Sequence, residues 1–422
     1  HNDGDGGFGP DADQDIIKCG TYTGNGGDGN FINLGFEPQW LMLKKYNASQ
    51  NAFFYVMDAM RGVSSEQDSE VMYWNAVAST FGSQMLEFNP NGFTLTDSAN
   101  SFNGSGDGYV YMAIRRGPLN TPDTPSKVFN TGAVQNNTNR NIANALTGQQ
   151  SPDMALWKND GTGQNWFLQT RLLTPKTLIP NLNNTASASY GDAFDKEMRQ
   201  ACADGTISPT DSYGWMWARA PGFFDVVTSD GTSSAQTVPH NLGVVPEMIW
   251  VKSRNNANSW TVFHKDMGNT KKAFLTSTSA FDTGSTIWNN TSPTATGFTV
   301  GTDSNTNSSG HKFVAYLWAS IDGVSKIGSY VGDGTSGRTI DCGFTNGCRF
   351  ILSKKALNGN GGWLIFDAVR GIVSGLDPYF QLNTDDPQYS ADTIDPTSSG
   401  FIVNDNNTNA NSDTYIFYAI AA

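Results

Sequence analysis

The sequence predicts an all-β chain of four tandem antiparallel β-sandwich, jelly-roll-like domains, the second divergent and carrying a short helix. Three observations predict it: an internal repeat of about a hundred residues, strands rich in aromatic and β-branched residues, and short Gly/Asn/Asp/Ser turns between them. The clearest marker is the strand that closes each copy. It begins at Tyr109, Tyr213, Phe313 and Tyr415, in steps of 104, 100 and 102 residues. These closing strands are apolar on both faces, whereas a strand with one wet face alternates, so their outward face is expected to be covered by a neighbouring copy or another subunit.

A second marker is a turn feeding a strand that ends in lysine: Gly35 to Lys44, Ser151 to Lys158, Val245 to Lys252 and Gly347 to Lys354. Proline at the strand entrance, as at Pro38 and Pro246, removes no ladder hydrogen bond. A third marker is Asp58-Ala59-Met60-Arg61-Gly62 and Asp367-Ala368-Val369-Arg370-Gly371, each after an aromatic strand. The third copy has His264-Lys265-Asp266-Met267-Gly268 there, so the acid–base pair is lost while the turn glycine stays. Asp58, Arg61, Gly62, Asp367, Arg370 and Gly371 are therefore read as structural turn residues, with Gly at a positive φ. A fourth marker is Gly92-Phe93, Gly297-Phe298 and Gly400-Phe401, opening a late hairpin. The second copy lacks it and carries Asp195 to Gly205 instead, a segment of helix formers with early acids and a Gly stop.

These markers divide the chain into an acidic Gly-rich segment (1–18) and four sandwiches (19–116, 127–220, 221–320 and 326–422). Pro-rich Gly117 to Pro125 reads as a linker, and Ala220-Pro221-Gly222 and Ile321 to Ser325 as tighter junctions.

Only 15 % of residues are charged, against about 25 % in average soluble proteins, and 12 % are aromatic. A net charge of -13, without a basic cluster, argues against nucleic acid binding. No apolar run approaches the roughly 20 residues that cross a bilayer, so no membrane insertion is expected. The sequence begins with His1, which reads as a processed or internal portion of a longer product. Four cysteines are too few for a disulfide scaffold. Cys342 and Cys348 flank a turn, leaving a bridge or two free thiols open.

Asp3, Asp5, Asp11, Asp13 and Asp15 alternate with glycines and are candidate calcium ligands, set against a solvated acidic linker because EF-hand spacing is absent. No other cofactor is expected. Tyr73, Trp74, Trp288 and Tyr379 lie in variable middle segments and are candidate glycan contacts, set against core packing. No nucleophile elbow, metal-binding His pair at helical spacing, or phosphate-cradling Gly loop followed by Lys occurs, and no enzyme is expected.

The combination of Gly20-Thr21-Tyr22-Thr23-Gly24-Asn25-Gly26, Leu34 to Pro38, Asp58 to Gly62, Gly92-Phe93 and Tyr109 to Ile114 resembles an uncharacterised domain that recurs in structural proteins of tailed bacteriophages, especially marine ones. The fourth copy repeats it as Gly328 to Gly334, Cys342 to Phe344, Asp367 to Gly371, Gly400-Phe401 and Tyr415 to Ile420. The likeness covers copies one, three and four well and copy two poorly. It implies a virion component of tail, fibre or capsid decoration, associating with other virion proteins and with itself, as a trimer if it is a fibre. The alternatives are an adhesin that binds host surface glycans and, behind it, a polysaccharide depolymerase.

Overall fold

The computed structural model describes residues 15–47, 53–63, 69–77, 81–83, 85–96, 101–118, 120–133, 146, 151–161, 163–173, 176–187 and 212–422. The chain is nearly all β, built from antiparallel sheets. It forms two compact units, residues 1–120 with 170–175, and residues 121–169 with 176–422.

The fourth repeat shows the plan. Its opening strand Ser325–Val331 pairs along its whole length with the closing strand Thr414–Ala421. The other edge of the closing strand takes the lysine strand Cys348–Leu357. Trp363–Asp367, Asp377–Gln381 and Tyr389–Ala391 then extend the sheet to six strands. A second sheet of Arg338–Asp341, Gly400–Val403 and Ile394–Thr397 packs on one face. In both sheets an early strand pairs with a late one, as in a jelly roll, and the remainder is a meander.

Period-2 alternation sorts the side chains. Tyr415, Phe417 and Ala419 face inward with Ile351, Phe366, Phe401 and Val403. Ile416, Tyr418 and Ile420 therefore point outward, and they too are buried. Repeats one and three follow the same order. Ile17–Thr23 pairs with Gly108–Arg115, and Phe224–Asp230 with Lys312–Trp318. The smaller sheets there have three strands and two. Among the described residues the second repeat shows one five-stranded sheet, with Ser212–Trp217 between Phe129–Ala133 and Met154–Asn159.

The expected helix at 195–205 lies outside the described residues. Two four-residue helices occur elsewhere, Ser304–Asn307 and Asn406–Asn409, in the loops before the third and fourth closing strands. Asp303 and Asp405 cap them through side-chain oxygens that accept backbone N–H groups. Each helix ends on a buried asparagine that ties down the loop after the opening strand. Asn409 Nδ2 donates to Asp333 Oδ1 and Thr335 O, Asn307 Nδ2 donates to Ser234 O, and Asn103 does the same to Gly27 O in the first repeat. The tight junctions repeat as well. Ala220 bridges to Phe224, and Ile321 to Ser325.

Candidate interaction surface

The outward sheet faces of repeats two, three and four meet one another in the second unit. Each contributes one tryptophan at the start of its aromatic strand, and each indole donates to a backbone carbonyl of the next repeat. Trp166 Nε1 donates to Gln381 O (3.0 Å), Trp363 Nε1 to Phe274 O (3.1 Å), and Trp260 Nε1 to Ile179 O (3.1 Å). Two donates to four, four to three, and three back to two, which closes a ring. The acceptors are equivalent: Gln381 lies opposite Leu364 and Phe274 opposite Thr261, each the residue after its own repeat's tryptophan. The pairing of Leu168 with Leu178 puts Ile179 in the same place. A head-to-tail contact that closes after three units is a cyclic interface within one chain.

The ring is filled with aromatic side chains. Trp217 packs 5.5 Å from Phe350 and donates its indole N–H to Tyr418 Oη at 3.3 Å, and Trp318 lies 6.1 Å from Tyr418. Phe380 inserts against Trp166 and Trp215 of the second repeat, at 5.7 and 6.3 Å. Of the two covers expected for the closing strands, these repeats use their neighbours.

The strand-ending lysines are buried in the same ring. Lys354 Nζ donates to Gly361 O in its own repeat (2.7 Å) and to Thr278 O of the third repeat (3.2 Å). Lys252 Nζ donates to Ser253 O and Asn256 O, and Lys158 Nζ to Gln164 O. Burial disfavours the ammonium form, which lowers Lys158 to about 8 and Lys252 and Lys354 to about 7.

The Asp–Arg turns are clamps. Asp367 Oδ1 accepts the N–H groups of Val369 and Arg370 while Oδ2 takes Arg370 Nε at 2.6 Å. Asp58 holds Met60 and Arg61 in the same way. Gly62 and Gly371 have φ of 85° and 120°. In the third repeat His264 Nδ1 accepts from Asp266 N, so imidazole replaces carboxylate as the turn acceptor. Burial pushes His264 down to about 3, so it stays neutral. The fourth-repeat pair is fully buried, with the guanidinium 4.3 Å from the Phe380 ring, whereas the first-repeat pair is partly exposed.

Two glycan candidates are corrected. Trp288 is 2 % exposed, packs on Phe263 and donates to Lys271 O, and Tyr379 is 7 % exposed between Phe366 and Tyr389. Both are core residues with no face to offer a sugar. Tyr73 is half-buried and packs edge-on to Phe53 at 4.8 Å, on the core side of its strand. Trp74, by contrast, is 65 % exposed. Of the calcium candidates, Asp3, Asp5, Asp11 and Asp13 lie outside the described residues, and Asp15 is half-buried before the first strand. Among the described residues no group of three His, Cys, Asp or Glu side chains could hold a metal ion, and no helix is long and apolar enough to cross a membrane. Cys342 and Cys348 are free thiols, and Cys202 lies outside the described residues.

Sequence reasoning missed the indole seam and the buried asparagines. The tryptophans Trp166, Trp260 and Trp363 stand eight, eight and nine residues after their lysines, a spacing that could have found the seam.

No curated protein matches the chain. A family model described as a domain of unknown function, DUF7483, matches residues 14–118 and 196–422, skipping most of the divergent second repeat. With most of its length matched, the chain belongs to the DUF7483 family.

Proposed function

We propose that this chain is a structural protein of a phage virion, a component of the tail, fibre or capsid decoration, and that it acts by protein–protein assembly. The observation that carries the reading is the closed ring of three repeats. Its apolar sheet faces are sealed by register-matched indole-to-carbonyl bonds, and Asn-, Ser- and Asp-rich loops stand at the strand ends. Such a ring resists deformation, because each seam buries aromatic area and carries one indole-to-carbonyl hydrogen bond. The resemblance read from the sequence in repeats one, three and four supports the virion setting. Immunogold labelling of purified particles tests it. Labelling at one defined place on the particle is expected, and a protein abundant in infected cells but missing from particles would overturn the reading.

A second reading, a glycan-binding adhesin, is favoured by Trp74, whose indole stands exposed beside the half-buried Trp40 at 5.9 Å between ring centres. Glycan-array binding that Trp74→Ala removes is its expected signature. Arrays without a hit would end it.

A further inference from the structure

The first repeat carries the same outward face as the ring-forming repeats, position for position, but no other repeat of its own unit to close it. Trp40, Met42 and Lys44 occupy the register of Phe350, Leu352 and Lys354, since Trp40 lies opposite Ile114 and Phe350 opposite Ile420. Phe54 stands where Trp363 stands, and Asn75 Oδ1 accepts its N–H at 2.9 Å, as Asn383 accepts that of Trp363 and Asn181 that of Trp166. Met72, opposite Val56, is the counterpart of Phe380, opposite Ile365. Trp74 N donates to Phe54 O as Leu382 N does to Trp363 O and Leu275 N to Trp260 O.

Exposure separates the two sets. Phe380 and Leu382 are 0 % exposed, whereas Met72 is 39 % and Trp74 65 % exposed. Trp40, Met42, Met112 and Ile114 are half-buried where Phe350, Leu352, Tyr418 and Ile420 are buried. Exposed apolar groups contiguous on one face mark an interaction surface.

The geometry points to a homotrimer in which the first repeats of three chains close on one another as repeats two, three and four do within one chain. The occupant is a second copy of this chain on each side, because this fold seats that face against its own kind three times in the same molecule. A head-to-tail contact between equivalent patches closes when the rotation does, and here it closes at three. The Phe54 side chain has no N–H, so the intermolecular seam lacks the indole bond and rests on burial of the Met72 and Trp74 side of one chain against the Phe54 edge of the next. Lys44, now 4.2 Å over Phe54, stands where Lys354 reaches a neighbour's carbonyls. This association does not require a virion, so it stands or falls apart from the proposed function.

Light scattering and sedimentation of the full chain under reducing conditions, which silence exposed Cys19, test it. A mass three times the 45.6 kDa of one chain is expected. Met72→Glu with Trp74→Glu should lower the mass threefold with an unchanged circular dichroism spectrum, whereas Val331→Glu, an exposed site on the fourth repeat, should leave the trimer intact. A benzophenone side chain at position 74 should give chain-to-chain adducts that stop at the trimer. A monomer at tens of micromolar without adducts, a dimer, a trimer indifferent to the paired glutamates, or a monomer whose Trp74 binds a glycan instead would each overturn the proposal.

Discussion

The outward sheet face of the first repeat and that of the fourth are built from the same strands in the same register, yet their side chains differ in kind. In the fourth repeat the face reads Phe350, Leu352, Tyr418, Ile420 and Phe380, all buried. In the first it reads Trp40, Met42, Met112, Ile114 and Met72, half-buried or exposed. A permanent seam within one chain fixes each neighbour once, which suits rigid aromatic rings of defined shape. Methionine is flexible and polarizable, and it suits a surface that must fit a partner arriving separately. The turn clamp differs in parallel: the same Asp–Arg pair is fully buried in the fourth repeat and partly exposed in the first.

Four measurements break or sharpen this contrast. The largest effect is expected at the indole seam. Trp363→Ala should cost about 3–5 kcal/mol in denaturant unfolding of the full chain, through lost burial and an orphaned Phe274 carbonyl. Phe54→Ala, at the same register in the first repeat, should cost about 1 kcal/mol in the dissociated chain, and equal losses would erase the distinction. Next, Asp367→Ala strands a buried guanidinium and should cost about 3–5 kcal/mol. Asp58→Ala, whose arginine is partly solvated, should cost about 0.2–1 kcal/mol beyond the turn itself.

The third measurement uses pH. Lys158, Lys252 and Lys354 have folded values of about 8, 7 and 7, below the ordinary 10.5. Between these values and 10.5 the unfolded chain binds more protons than the folded one, so stability rises with pH across that window and is lost as pH falls through 8 and 7. The melting temperature should rise from pH 7 to pH 9. Lys252→Met with Lys354→Met should flatten the rise, and a wild-type melting temperature that falls over this interval would refute the assignment. The smallest effect is Trp74→Ala, within about 0.5 kcal/mol for the dissociated chain, since the side chain is mostly in water. A larger loss would mean that Trp74 is part of the core.

The sequence alone determined the all-β class, the hundred-residue period, the closing and lysine strands, and the Asp-x-x-Arg-Gly turns. All are local: alternation, turn glycines and a carboxylate three residues from its arginine leave their mark within a few positions. It also raised the expectation that the closing strands are covered on both faces, and in repeats two, three and four the outward-facing Trp217, Trp318 and Tyr418 are buried against neighbouring repeats. It did not determine what covers them. The seam acceptors are backbone carbonyls, such as Gln381 O for Trp166, 215 residues away, and a carbonyl is the same whichever residue carries it. Nor does aromatic content tell a packed ring from a sugar platform: Trp288 and Tyr379 read like Trp74 in sequence, yet Trp288 packs from a turn onto Phe263 and Tyr379 from its strand onto Phe366 and Tyr389, while Trp74 stands in solvent. Which neighbours each ring meets follows from how the strands and turns pack on one another, which tertiary folding alone decides.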